Sequence, residues 1–105
     1  MEINRLEQLK RFLQDDPNDP FTLYALGVEY IKSDKKEALK CFKYLLEMRE
    51  DYVPVYYQAG MLFAELGDPD RARDTYRKGI KIATRAGDFK AAAELSAVLS
   101  DIEDE

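Results

Sequence analysis

Apolar side chains recur every three or four residues along most of the chain. The stretches from Leu6 to Leu13 and from Ala38 to Leu46 both show this spacing, which places the apolar residues on one face of an α-helix. No segment alternates apolar and polar residues, so no strand is predicted. Polar breaks divide the pattern into six predicted helices, at residues 2–15, 20–32, 35–50, 53–66, 69–86 and 88–103.

The breaks carry residue types that begin and end helices. Asp19, Asp34 and Asp68 stand where a side-chain oxygen would accept a free backbone N–H group of the next helix. The first and last of these aspartates precede a proline, which suits the first helical position. Gly67 and Gly87 stand where a helix would end in the left-handed conformation. Such short connections predict that consecutive helices are antiparallel neighbours.

Two blocks of similar sequence follow one another along the chain. Residues 23–30 read L-x-x-L-G-x-x-Y and residues 56–63 read Y-x-x-A-G-x-x-F, with their glycines 33 positions apart. An alanine followed four residues later by an aromatic residue comes after each block, at 38–42 and again at 72–76. Together these motifs resemble the tetratricopeptide repeat, whose unit is a helix-turn-helix of about 34 residues.

The resemblance implies an all-α fold in which antiparallel helix-turn-helix repeats stack as a short right-handed α-solenoid of about six helices. It implies one helical-repeat domain over residues 1–105. Within that domain, residues 20–52 and 53–86 would be the two repeats. An N-terminal capping helix at 1–17 and a C-terminal one at 87–105 would flank them.

Each repeat has a glycine in the middle of its first predicted helix, Gly27 and Gly60. A glycine there costs about 1 kcal/mol relative to alanine, so it indicates close approach of the paired helix. We expect Ala38 and Ala72 to face these glycines and the aromatic motif residues to fill the space between helices.

Composition narrows the possible functions. The 105 residues include 16 Lys+Arg and 21 Asp+Glu, a net charge of −5, which weighs against nucleic acid as a partner. The chain has no histidine and one cysteine, so it lacks the commonest general base and the commonest zinc ligands. We predict no catalytic residue, no metal, no cofactor and no enzymatic activity. Thiol chemistry at Cys41 is the enzymatic alternative, and the lack of histidine counts against it.

Two further features concern location and charge. No apolar run approaches the roughly 18 residues of a membrane span, and no signal peptide is evident, so we expect a cytoplasmic protein that does not bind membranes. The helix predicted at 69–86 is rich in Lys and Arg. We interpret it as a solvated outer face, with an acidic partner or nucleic acid as the alternative.

In the tetratricopeptide repeat family, the first helix of each repeat lines a concave groove that binds a peptide or a partner helix. The resemblance, combined with helical spacing, assigns this groove to Phe21, Tyr24, Val28, Ile31, Lys32, Tyr57, Gln58, Met61 and Glu65. Some family members hold an acidic C-terminal peptide with a Lys, Arg and Asn clamp, but this face is mainly aromatic and apolar. It therefore predicts a groove for an extended apolar peptide or an amphipathic helix.

The predicted function is thus a non-enzymatic protein–protein interaction module. Two alternatives remain for the same residues. The chain could be a homo-oligomeric scaffold or accessory subunit, for example a homodimer, that associates through this patch. The patch could also be covered by the helix at 2–15 or the one at 88–103.

Overall fold

The computed structural model of the chain describes residues 4–103, which form six α-helices and no strand. The helices are α1 (Arg5–Asp15), α2 (Pro20–Ile31), α3 (Lys35–Met48), α4 (Pro54–Glu65), α5 (Pro69–Arg85) and α6 (Phe89–Glu103). The predicted all-α fold of about six helices is confirmed. The helix ends agree with the prediction to within two residues, except that the predicted start of α1 falls outside the described residues.

The described residues form two compact units, one ending at Arg49 and the other beginning at Glu50. In the first unit, α2 packs against both α1 and α3. In the second unit, α5 packs against both α4 and α6, and α4 also touches α6. Because the connections within each unit are only three or four residues long, consecutive helices run antiparallel. Among residues 4–103, no helix is long and apolar enough to cross a membrane.

The predicted helix caps are present in the structure. The side chains of Asp19, Asp34 and Asp68 each accept the backbone N–H group three residues further on, at 3.1, 3.2 and 3.1 Å. Each bond satisfies a donor that has no partner inside its own helix. Gly67 and Gly87 have φ values of +88° and +77°, a conformation that glycine adopts without steric cost. These contacts are local, which is why the helix ends were predictable from sequence.

The glycines of the repeat motif mark close approach of paired helices, as predicted. A Cβ atom on Gly27 would overlap the ring of Phe42, and one on Gly60 would overlap the ring of Tyr76. The atoms nearest each glycine therefore belong to the aromatic residue of the motif and not to the alanine. The ring is the larger group, so it occupies the space that the missing side chain leaves.

A third glycine, which the repeat motif did not single out, organises the second unit. A Cβ atom on Gly79 of α5 would overlap Tyr56 of α4 and would also crowd Leu95 of α6. Both side chains are fully buried or nearly so. Gly79 therefore lets α4 and α6 approach α5 closely at the same point.

Most motif positions form the core of their own unit. All of them are buried except Tyr30, which is half-buried. The ammonium of Lys10 on α1 lies 5.7 Å from the centre of the Tyr30 ring, which fits a cation–π contact between the two helices. The core residues are thus explained by packing, and the candidate functional residues lie on other faces of the helices.

Candidate protein-binding faces

The predicted binding residues of the first repeat occupy one row of α2. Successive members are three or four positions apart: Phe21, Tyr24, Val28 and Ile31. Phe21 is 64% exposed, whereas the other three are half-buried. Tyr24 packs against the Phe42 ring, with centroids 6.0 Å apart and planes inclined by 46°. Lys32 follows the helix as an exposed residue, and its Nζ lies 2.7 Å from Glu29 Oε2.

The predicted binding residues of the second repeat occupy a corresponding row of α4. Tyr57, Met61 and Glu65 are four residues apart and therefore lie above one another on the helix surface. Tyr57 is 38% exposed, Met61 is half-buried and Glu65 is exposed. Gln58 lies beside this row and is half-buried. The row combines an aromatic ring, a flexible thioether and a carboxylate.

A buried tyrosine of α5 packs against α4. Tyr76 packs under Gly60, and the pKa of its hydroxyl is raised, first by burial and then by the nearby Tyr57 and Glu65. At neutral pH the hydroxyl is therefore protonated. Tyr76 is 3% exposed, which agrees with its predicted place in the core.

Most basic side chains of α5 have acidic partners inside the second unit. Lys78 Nζ lies 2.9 Å from Glu50 Oε2, and Arg77 lies 2.6 Å from Glu103 Oε1. The pKa of Glu50 is lowered, chiefly because Lys78 donates a hydrogen bond to it. In the part of the chain that the structure describes, Lys81 is exposed and forms no ion pair. These pairings fit the interpretation of α5 as a solvated face.

The described side chains offer little for catalysis. Residues 4–103 contain no group of three His, Cys, Asp or Glu side chains arranged to hold a metal ion. Cys41 is half-buried, and burial raises the pKa of its thiol, with the carboxylate of Glu37 adding to the effect. A thiol with a raised pKa holds less of the reactive thiolate at neutral pH.

Comparison with known proteins identifies the family. A sequence profile described as tetratricopeptide repeat matches residues 53–85. No curated protein sequence matches the chain significantly. A solution structure of a protein from Bordetella parapertussis is 21% identical, covers 98% of this chain and 90% of its own, and superimposes with a TM-score of 0.83. At that identity the likeness concerns the fold alone.

Two structures of a tetratricopeptide repeat domain protein from Salinibacter ruber are more similar in sequence. The solution NMR structure is 42% identical, covers 85% of this chain and 91% of that chain, and has a TM-score of 0.80. The crystal structure is 41% identical, covers 83% and 98%, and has a TM-score of 0.79. Sequence identity at this level over most of both chains shows common descent as well as a common fold. The chain therefore belongs to the tetratricopeptide repeat family.

Proposed function

We propose that the chain is a non-enzymatic protein-interaction module that binds a peptide or a partner helix through the exposed faces of α2 and α4. The observation that carries this proposal is the α4 row of Tyr57, Met61 and Glu65, an aromatic and apolar surface that remains accessible on the folded protein. Tyrosine and methionine are enriched at the centres of protein interfaces. The matching row on α2 supports the same function for the first repeat.

The chemistry of these rows favours an apolar ligand segment with a few polar contacts. Phe21, Val28 and Met61 offer hydrocarbon or thioether surface, and the exposed Tyr57 adds an aromatic ring with a hydroxyl group. Lys32, Gln58 and Glu65 are the polar members of the proposed face. Charged groups at the edge of an interface contribute more to selectivity and association rate than to affinity.

Three observations support a role without catalysis. The family to which the chain belongs typically serves in protein interaction. The sequence offers no histidine, and the thiol of Cys41 has a raised pKa.

The family profile over residues 53–85 also supports the proposed second repeat at 53–86. We propose the boundaries of the first repeat, 20–52, by analogy with it.

The proposal is tested by identifying a partner and then measuring its affinity for two matched variants. Affinity capture with the full chain and mass spectrometry would supply a candidate, and calorimetry would give its dissociation constant. Tyr57→Ala should weaken binding by about 2 kcal/mol if this ring is a central contact. Tyr44→Ala on α3 is the control, because Tyr44 is 37% exposed but lies off the α2 and α4 rows.

Equal losses of affinity in both variants would contradict the proposal, as would unfolding of Tyr57→Ala. The alternative function, self-association through the same residues, makes a different prediction. In that case Tyr57→Ala would shift the purified chain from a dimer to a monomer in the absence of any other protein. Sedimentation equilibrium of the two variants separates these outcomes.

A further inference from the structure

A second surface lies in the first unit and is lined by residues outside the row on α2 that the proposed function uses. A groove of about 290 Å³ runs between α3 and the connection from α1 to α2. Its lining residues are Pro17, Asn18, Leu23, Lys40, Cys41 and Tyr44. The Tyr44 hydroxyl donates a hydrogen bond to Asn18 Oδ1 at 2.7 Å, which joins the two walls. The groove is therefore built from residues that hold each other in place.

An apolar row on α3 continues the floor of this groove onto the protein surface. Cys41, Tyr44 and Met48 are three and four residues apart, so they share one side of the helix. Tyr44 is 37% exposed and Met48 is 62% exposed. Adjoining apolar side chains that stay accessible on a small domain usually mark an interaction surface. The protein core does not require them, since Ala38, Phe42 and Leu45 form the buried side of α3.

The groove separates two regions of opposite charge. The end of α1 and the connection that follows it carry the exposed acids Asp15 and Asp16. On the other side, α3 carries four lysines against two glutamates, and Lys40 lies on the groove wall. Within the described part of the chain, Asp16 and Lys43 form no ion pair, and Lys40 pairs only with Glu37 on its own helix. Both regions thus have charge that can pair with another molecule.

We propose that this surface binds a second copy of the chain, in a two-fold symmetric dimer. A two-fold axis through the apolar row would bring the acidic connection of one copy opposite the lysines of its partner, and the reverse. A uniformly acidic ligand would face repulsion from Asp15 and Asp16, and a uniformly basic one would face repulsion from the α3 lysines. A surface with one acidic side and one basic side complements itself, so a second copy fits it best.

The first test is the mass of the full chain in solution. Sedimentation equilibrium over a wide concentration range should show the average mass rising from 12.1 kDa toward twice that value. Tyr44→Ala should weaken the dimer, because it removes an apolar contact twice at a symmetric interface. A mass that stays at the monomer value at every concentration would overturn the proposal.

The second test reverses the charges on the two sides of the groove. Lys40→Glu and Asp16→Lys should each weaken dimerisation about tenfold, because each puts like charges opposite one another at two symmetric places. Both substitutions in one chain should restore the dimer, since the acidic and basic sides then exchange roles. Lys81→Glu on α5 is the matched control, because it makes the same change in net charge far from this surface in sequence. Circular dichroism melting of each variant shows whether it is folded.

The results distinguish this proposal from the proposed ligand-binding function. Here Tyr44→Ala weakens the dimer and leaves ligand binding intact, whereas Tyr57→Ala has the reverse effect. A dimer that dissociates with Tyr57→Ala but not with Tyr44→Ala would overturn the inference and support self-association through the α2 and α4 rows. A dimer that Lys40→Glu and Lys81→Glu weaken equally would also overturn it.

Discussion

At the scale of single residues, each repeat packs by placing a glycine of one helix against an aromatic ring of the next. Gly27 faces Phe42 in the first unit, and Gly60 faces Tyr76 in the second. The contact leaves no room for a side chain on either glycine. An added Cβ atom would lie closer to the ring than Cβ atoms do in real structures.

We therefore predict that Gly60→Ala lowers the free energy of unfolding by about 1–3 kcal/mol through overpacking against Tyr76. The sign of the change in unfolding free energy tests the packing, because the same substitution in an exposed helix stabilises the protein by about 1 kcal/mol. Urea denaturation followed by circular dichroism measures it. Combining Gly60→Ala with Tyr76→Leu should give a smaller loss than the two single changes added together, because the smaller side chain relieves the overlap. A stabilised Gly60→Ala variant would contradict the packing described for this pair.

Tyr56 gives a prediction about alkaline pH. Its hydroxyl donates to the backbone carbonyl of Glu50 at 2.5 Å, and burial, with smaller effects of Glu50 and Asp51, raises its pKa to about 12. The neutral phenol therefore stabilises the fold below the ordinary pKa of 10.0, and this contribution is lost as the pH rises through about 12. Tyr56→Phe should cost about 1 kcal/mol at neutral pH through the lost hydrogen bond.

The stability difference between wild type and Tyr56→Phe should then narrow above pH 10, because only the wild type loses this contribution. Comparing the two proteins cancels the ionisation of lysines, which occurs in both. Denaturant titrations at neutral and alkaline pH measure the difference. A difference that stays constant across this range would show that the Tyr56 hydroxyl titrates normally.

At the scale of helices, the caps differ in a way that affects stability. The N-terminus of α5 is capped by Asp68, whose side chain accepts the N–H group of Arg71 at 3.1 Å. The N-terminus of α4 has no side-chain cap, since Val53 precedes Pro54 there. Both helices begin with a proline, which lacks one of the N–H groups that would need a partner. The start of α5 therefore has a side-chain cap that the start of α4 lacks.

Asp68→Ala should lower the free energy of unfolding by about 1 kcal/mol, because it leaves the Arg71 N–H group without its acceptor. Asp68→Asn is the control, since its amide oxygen can accept the same hydrogen bond without the charge. We expect Asp68→Asn to retain most of the stability in thermal denaturation. Equal losses in the two variants would assign the effect to the charge of Asp68 and not to the cap.

At the scale of the whole molecule, each unit contains a carboxylate that titrates below its ordinary range. The pKa of Asp19 is lowered, first by the hydrogen bond from the Thr22 hydroxyl, and that of Glu50 is lowered by the hydrogen bond from Lys78. A lowered pKa means that the charged form is favoured in the folded state. These groups stabilise the protein above their ordinary pKa values of 3.8 and 4.5, and the contribution is lost as the pH falls through their lowered values.

The melting temperature should therefore fall as the pH is lowered below about 4. A variant with both Asp19→Asn and Glu50→Gln should have a lower melting temperature than wild type at neutral pH. Its melting temperature should also change less when the pH is lowered. Differential scanning calorimetry at several pH values provides the comparison. Equal acid dependence in the two proteins would assign the effect to other carboxylates.

The sequence by itself determined the helices, their ends and the repeat. Caps such as Asp68 and helix ends such as Gly67 act within three or four residues, so their signals are legible without knowledge of the fold. The period of the motif likewise predicted the family and the position of the candidate face. Tyr57 is likewise exposed because helical spacing places it off the buried face of α4.

The tertiary structure decided which distant side chains meet. It packed the rings of Phe42 and Tyr76 against Gly27 and Gly60, and it gave Gly79 a role between α4 and α6. It also formed the groove beside Tyr44, whose walls come from α3 and from the connection between α1 and α2. These contacts depend on how side chains of different size pack together between helices. Helical periodicity specifies only the face of the helix to which each side chain belongs.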